Sequence, residues 1–325
     1  MNTVVLPTAP GRSYWRAAQF VGIVLTLVLL YGLVTAPTFS LKLLWDVVIP
    51  VLPLTFLLNP MIWRNVCPLA SLNEFSGGQA AGRVIPAGAL RMSWAIGIIL
   101  LALMVPARRF LFNTEGVVLA ATIAAVAALA LAGGFVFRRR AGFCSSICPV
   151  LPVERLYGQA PLVPMHGVRC DLCTVCTPLG CLDLTGTKSV PQTVGPLRRE
   201  SNWWRTSFGA FAAAFPGFII GYFTVANGPL GAALAVYGHI LLYSAVSFLA
   251  VATLATILGI RSAVALPFLG AISIGAYYWF AAPAWATNAG IAAAGDALRV
   301  GIGAVILFWL WRQARTDAAP LTSLQ

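Results

Sequence analysis

The sequence predicts an all-α integral membrane fold of about eight transmembrane helices, with one cysteine-rich loop set between the fourth and fifth. Two observations carry this. The 325 residues are 59% hydrophobic and only 9% charged, against about 25% charged in a soluble domain. Mean hydropathy is +0.86, and the apolar stretches recur along the whole chain, so most of its length is expected in lipid.

A crossing helix needs about 20 mostly apolar residues. Segments 17–36, 41–63, 92–107, 117–137, 207–226, 234–260, 262–284 and 298–311 meet or approach that length, the third and eighth being short. Arg12 and Arg16 precede the first, which is long enough to cross and shows no small-residue cleavage pattern, so no cleavable signal peptide is expected. The second is interrupted by Asp46, Pro50, Pro53 and Pro60. Such a helix survives where neighbouring helices satisfy the backbone groups that proline frees.

Eight spans put both termini and the even-numbered loops on one side. Of the 21 Lys and Arg, only Lys42, Arg108, Arg109 and Arg299 fall on the other side, leaving 17 with the termini. Positive charge stays inside, so both termini and both cysteine-bearing loops are expected in the cytoplasm, across a bacterial inner membrane. The net charge of +12 does not point to nucleic acid, because the basic residues sit between apolar spans rather than in one groove. Residues 1–137 form four helices with a first Cys-Pro loop at 64–91, residues 138–206 a cysteine-rich insert, and residues 207–325 four more helices. The insert is too short and too rich in Pro, Gly and Cys for a core of its own. Asn202, Trp203, Trp204 and Arg205 read as an interfacial belt where the chain re-enters lipid, and Tyr277, Tyr278 and Trp279 as further lipid-interface residues.

All seven cysteines lie in the two loops: Cys67 in the first, and Cys144, Cys148, Cys170, Cys173, Cys176 and Cys181 in the second. A reducing cytoplasm disfavours structural disulfides, so metal binding is the better reading. From Cys170 to Cys181 the chain reads Cys-Asp-Leu-Cys-Thr-Val-Cys-Thr-Pro-Leu-Gly-Cys. Gaps of two let three thiolates converge on one [4Fe-4S] cluster. The last gap is four and no proline follows Cys181, so either Cys181, turned back at Gly180, or a remote Cys-Pro supplies the fourth ligand. Structural zinc is the alternative, although zinc favours two separated pairs on a tetrahedron.

The remaining cysteines form a repeat. Cys67-Pro68 is followed by Glu74 and Gly77, and Cys148-Pro149 by Glu154 and Gly158. Each follows an apolar span and a cationic patch, Arg64 in one case and Arg138–Arg140 in the other. Cys144 makes the second motif C-x3-C-P, whereas Trp63 stands at the matching place in the first. Cys67 has no cysteine within its own loop. The simplest account folds the two loops together, bringing Cys67 to Cys144 and Cys148 as one inter-loop site, which leaves room for a second cluster.

Helix pairs followed by such loops, written here Arg-Asn-Val-Cys-Pro-Leu-Ala and Phe-Cys-Ser-Ser-Ile-Cys-Pro and followed by a ferredoxin-like run, resemble the membrane-bound polyferredoxin-like proteins. That family includes the quinol dehydrogenase subunit of periplasmic nitrate reduction, the nitrous-oxide reductase regulator and accessory proteins of cytochrome oxidase assembly. The resemblance covers residues 41–184. It departs from the family's usual pattern by carrying one ferredoxin motif rather than two and by lacking one cysteine of the first C-x3-C-P. It implies single-electron transfer between a cytoplasmic carrier and a membrane redox complex or the quinone pool, with quinone as a further ligand. The basic residues near the cysteines would attract an acidic carrier such as a ferredoxin. The alternatives are a redox-linked assembly or maturation factor, and a membrane scaffold with a structural metal loop.

Three polar residues remain. His239 lies inside the sixth span and is either a haem or quinone ligand or a histidine bonded to a neighbouring helix. Asp46, a carboxylate inside a span, suggests function by its cost alone, or else bonds to backbone freed by Pro50. His166, four residues before Cys170, either tunes the cluster or is a solvated loop residue.

Overall fold

The computed structural model describes residues 12–77, 85, 87–137, 142–159, 161–163 and 202–318. All regular elements there are helical. They are α1 (Arg12–Thr35), α2 (Pro37–Leu43), α3 (Ile49–Leu58), α4 (Pro60–Val66), α5 (Pro68–Gly77), α6 (Ala87–Ala107), α7 (Gly116–Val136), α8 (Leu151–Tyr157), α9 (Ser207–Thr224), α10 (Ala233–Leu258), α11 (Ser262–Asn288) and α12 (Gly295–Ala318).

Eight helical stretches among the described residues are long and apolar enough to cross a membrane, as expected. Three differ most in extent from the sequence reading. The second runs Pro37–Leu58 rather than 41–63, because Asn59 is extended and Pro60 starts a separate helix. The third runs Met92–Phe112, because the helix passes through Pro106 and continues as a π-helical turn at Arg108–Phe112. The eighth is Ala292–Gln313, since the short turn Ala292–Ala294 leads directly into α12. The second span is built from α2, a π-helical turn at Leu44–Val48, and α3. The wider turn takes up the irregularity that Pro50 imposes, with Ile49 N–H bonding the carbonyl of Leu44, five residues back.

Burial separates centre from periphery. In the α9 span 61% of positions are buried, and in the α11 span 50%, against 11% in the first span and 17% in the α10 span. The bundle is therefore organised on α9 and α11, while α1 and α10 present Phe20, Leu25, Leu241 and Leu249 outward, as lipid contact requires. Thr206 caps α9, its hydroxyl accepting from Gly209 N–H at 3.0 Å.

Two aromatic expectations are corrected. Trp203 is fully buried and donates its indole N–H to the Ile260 carbonyl at 3.0 Å, tying the start of α9 to the α10–α11 turn. Tyr278 lies at mid-helix, is buried, and donates its hydroxyl to the Pro50 carbonyl at 2.5 Å. Both are held inside by a hydrogen bond that satisfies their polar atom. Trp279, on the next face, is exposed as an interfacial or lipid-facing ring would be.

Candidate functional site

The site grows from the two Cys-Pro loops. In each, Cys-Pro leads into a short helix. Pro68 opens α5, where its missing N–H costs nothing because the first-turn donors have no helical acceptor. Pro149 precedes α8 by one residue, and Pro152 occupies the first turn of α8. The following helices lie differently. Helix α5 packs on α7 and α1, its Asn73 side-chain amide donating to the Ala130 carbonyl at 2.7 Å. Helix α8 inserts between α3, α6 and α11 and is buried over Leu151, Pro152 and Glu154–Tyr157. Its depth follows from Gly270, eight residues into α11, which is about 12 Å at 1.5 Å per residue. A Cβ at Gly270 would stand 2.9 Å from the Leu156 carbonyl, so only glycine lets that backbone approach.

The loops are joined by charge. Arg64 of α4 donates through Nε to Glu154 Oε1 of α8 at 2.5 Å, both side chains 6% exposed. Arg155 lies beside them with its guanidinium 4.9 Å from the Trp94 ring, a cation–π contact away from water. Burial pulls the Arg155 guanidinium down to about 9, with Arg64 adding to the fall and Glu154 opposing it. The Arg64–Glu154 pair thus ties α4 of the first loop to α8 of the second. Sequence reasoning treated Arg64 and Arg155 as topology determinants. A clearer signal was present in Val-Glu-Arg-Leu-Tyr, where two adjacent charges sit among apolar residues between Pro152 and Gly158.

A short backbone pairing completes the join. Leu162 N–H and Val163 N–H donate to the carbonyls of Leu57 and Leu58, each at 2.9 Å. The side-chain amide of Asn59, fully buried, donates to the Val163 carbonyl at 3.0 Å.

The three cysteines of the two Cys-Pro loops pack together. Cys67, Cys144, Phe143, Ala70 and Ala130 form one buried cluster, with Cys148, Ile147 and Trp63 packed against it. Trp63, at the place of the missing fourth cysteine, thus lines the same cluster. None of the three cysteines is in a disulfide. Cys148 keeps some exposed surface while Cys67 and Cys144 are buried. Burial pushes the Cys148 thiol up to about 12. Cys67 and Glu154 add to that rise, while a Val150 backbone hydrogen bond and Arg64 oppose it. Among the described residues, no group of three or more His, Cys, Asp or Glu is arranged to hold a metal ion. The described residues by themselves therefore present no second metal site. Cys170, Cys173, Cys176, Cys181 and His166 lie outside the described residues.

The polar residues of the spans are placed as follows. His239 Nε2 is 3.0 Å from the Thr224 hydroxyl and its ring stacks 4.8 Å from Tyr243, so it bonds to the neighbouring helix α9. Asp46 is half-buried in the first π-helical turn and makes no hydrogen bond or ion pair among the described residues. The second π-helical turn holds a group that sequence reasoning missed. Arg108 donates to the Tyr222 hydroxyl at 2.7 Å and lies 4.9 Å from the Trp45 ring, while Arg109 donates to Asn227 Oδ1 at 3.0 Å.

Comparison of the chain with family models, with curated proteins and with solved structures finds no match in any of the three.

Proposed function

We propose that this chain is a membrane-embedded iron–sulfur electron-transfer protein. It passes single electrons between a cytoplasmic carrier and a membrane redox partner or the quinone pool. The ligands of its [4Fe-4S] cluster are Cys170, Cys173, Cys176 and Cys181, in the spacing that lets thiolates from one loop share a cluster. The observation that supports this reading best is the convergence of the two Cys-Pro loops. They meet at one end of an eight-span bundle, joined by the buried Arg64–Glu154 pair. Val163 N–H is bonded to the Leu58 carbonyl, and Trp203 is buried at the start of α9. The intervening residues carry the cysteine run.

The cluster supplies one-electron chemistry. The protein's own part is to anchor both ends of the run, to exclude lipid, and to present a basic surface to an acidic carrier. The resemblance to the membrane-bound polyferredoxin-like proteins points the same way, and the charge distribution of the loops supports a cytoplasmic location for this end. The test is iron and acid-labile sulfide analysis of the anaerobically purified full chain. About four irons per cluster are expected, reduced to background in Cys173→Ser and Cys176→Ser variants. Stoichiometric zinc with no iron supports a structural metal loop instead and removes the proposal.

A further inference from the structure

Three of the seven cysteines stand outside the run, and the proposed cluster of Cys170, Cys173, Cys176 and Cys181 does not use them. Cys67 and Cys148 come from different loops, yet pack in one cluster with Cys144, Phe143 and Trp63. Cys67 is also the neighbouring group whose charge bears most on Cys148. The donors nearby argue against a metal. Trp63 takes the fourth position of the repeat, and an indole N–H donates but offers no lone pair to a metal. Glu154, the carboxylate that acts on Cys148, is held by Arg64. No set of three donors is arranged for a metal among the described residues. Two thiols brought together from separate loops retain one further chemistry, formation of a sulfur–sulfur bond.

We propose that Cys67 and Cys148 form an inter-loop dithiol that is reversibly oxidised to a disulfide, covalently joining the first Cys-Pro loop to the second. The oxidant class is a small disulfide such as oxidised glutathione. Cys148 is the less buried of the two residues, and its thiol, pushed up by burial, reacts through its small thiolate fraction. Its thiolate attacks one sulfur and expels one glutathione thiolate, leaving a mixed disulfide. The Cys67 thiolate then attacks the Cys148 sulfur of that mixed disulfide and expels the second. One protein S–S bond forms and one glutathione S–S bond breaks. The two electrons lost by the protein thiols reduce the oxidant, and their two protons end on the released thiols. Disulfides in a reducing compartment are characteristically transient and redox-sensing. The Arg64–Glu154 pair keeps the two loops in register in the reduced state, so Cys67 and Cys148 stay adjacent between cycles.

The test uses the full chain in detergent, equilibrated anaerobically with reduced or oxidised glutathione, acid-quenched, alkylated with N-ethylmaleimide and mapped by peptide mass spectrometry. The expected result is a Cys67–Cys148 linked peptide in the oxidised sample and two alkylated cysteines in the reduced one. The link persists when Cys170, Cys173 and Cys176 are all changed to Ser, and is lost in Cys67→Ser with Cys148 then alkylated. Because wild-type protein alone gives the linked peptide, the result does not depend on the variants folding. Three outcomes overturn the proposal: both cysteines alkylated under every condition, Cys148 linked to Cys144 rather than Cys67, or both protected by bound metal. Iron content reports separately on the cluster, so the two readings fail independently.

Discussion

The substitution Glu154→Gln isolates what joins the two loops. Glu154 and Arg64 are each 6% exposed and bonded at 2.5 Å, and Arg155 lies close enough to act on both. Glutamine keeps the shape and removes the charge, so two guanidiniums are left near each other without the carboxylate between them. Breaking a buried pair on one side costs about 3–5 kcal/mol. The triple variant Arg64→Met, Glu154→Leu and Arg155→Leu removes all three charges and is expected to recover most of that loss, because apolar replacement of a buried ionic group is often neutral. An internal comparison is Asp296–Arg299, bonded at 2.8 Å but 87% and 27% exposed, where Asp296→Asn should cost at most about 1 kcal/mol. Equilibrium unfolding in mixed micelles measures all three. If Glu154→Gln costs no more than Asp296→Asn, the pair is not the join, and the account of how the loops are held is wrong.

Three further outcomes follow from single contacts. Tyr278→Phe removes the donor to the Pro50 carbonyl and should destabilise by about 0.5–1.5 kcal/mol, the net contribution of one hydrogen bond; an unchanged unfolding midpoint would contradict it. Gly270→Leu must push back the Leu156 carbonyl and should cost about 1–3 kcal/mol, whereas Gly238→Ala, with open space around it, should be neutral or slightly stabilising in the same assay. With the Cys148 thiol pushed up to about 12, only its small thiolate fraction reacts at neutral pH, so its alkylation by N-ethylmaleimide should rise roughly tenfold per pH unit from 7 to 9. A plateau below pH 9 would show that Cys67, Glu154 and burial do not hold the proton on.

The spans were legible because length and apolarity alone decide whether a helix can cross. Their ends were not, since Pro106 reads as a stop although the helix continues, and a π-helical turn leaves no mark in the apolar pattern. Trp203 and Tyr278 read as interfacial because an aromatic beside a polar neighbour looks the same in sequence whether it faces headgroups or a backbone carbonyl. The meeting of Cys67 with Cys144 and Cys148 was legible from the repeated Cys-Pro context. What could not be read was the charge pair that enforces it, because Arg64 and Glu154 are far apart in sequence and each looks like an ordinary loop charge. The cysteine run offers the strongest spacing signal in the chain, and its three evenly spaced thiols are the basis for proposing a cluster.

Electron paramagnetic resonance of anaerobically purified full-length protein, reduced with dithionite and then mixed with a soluble quinone, tests the central claim most directly. A reduced-cluster signal should appear on reduction, disappear on adding quinone, and be missing from Cys173→Ser protein that inserts normally. A chain that binds zinc, gives no signal on reduction and transfers nothing to quinone would contradict the account.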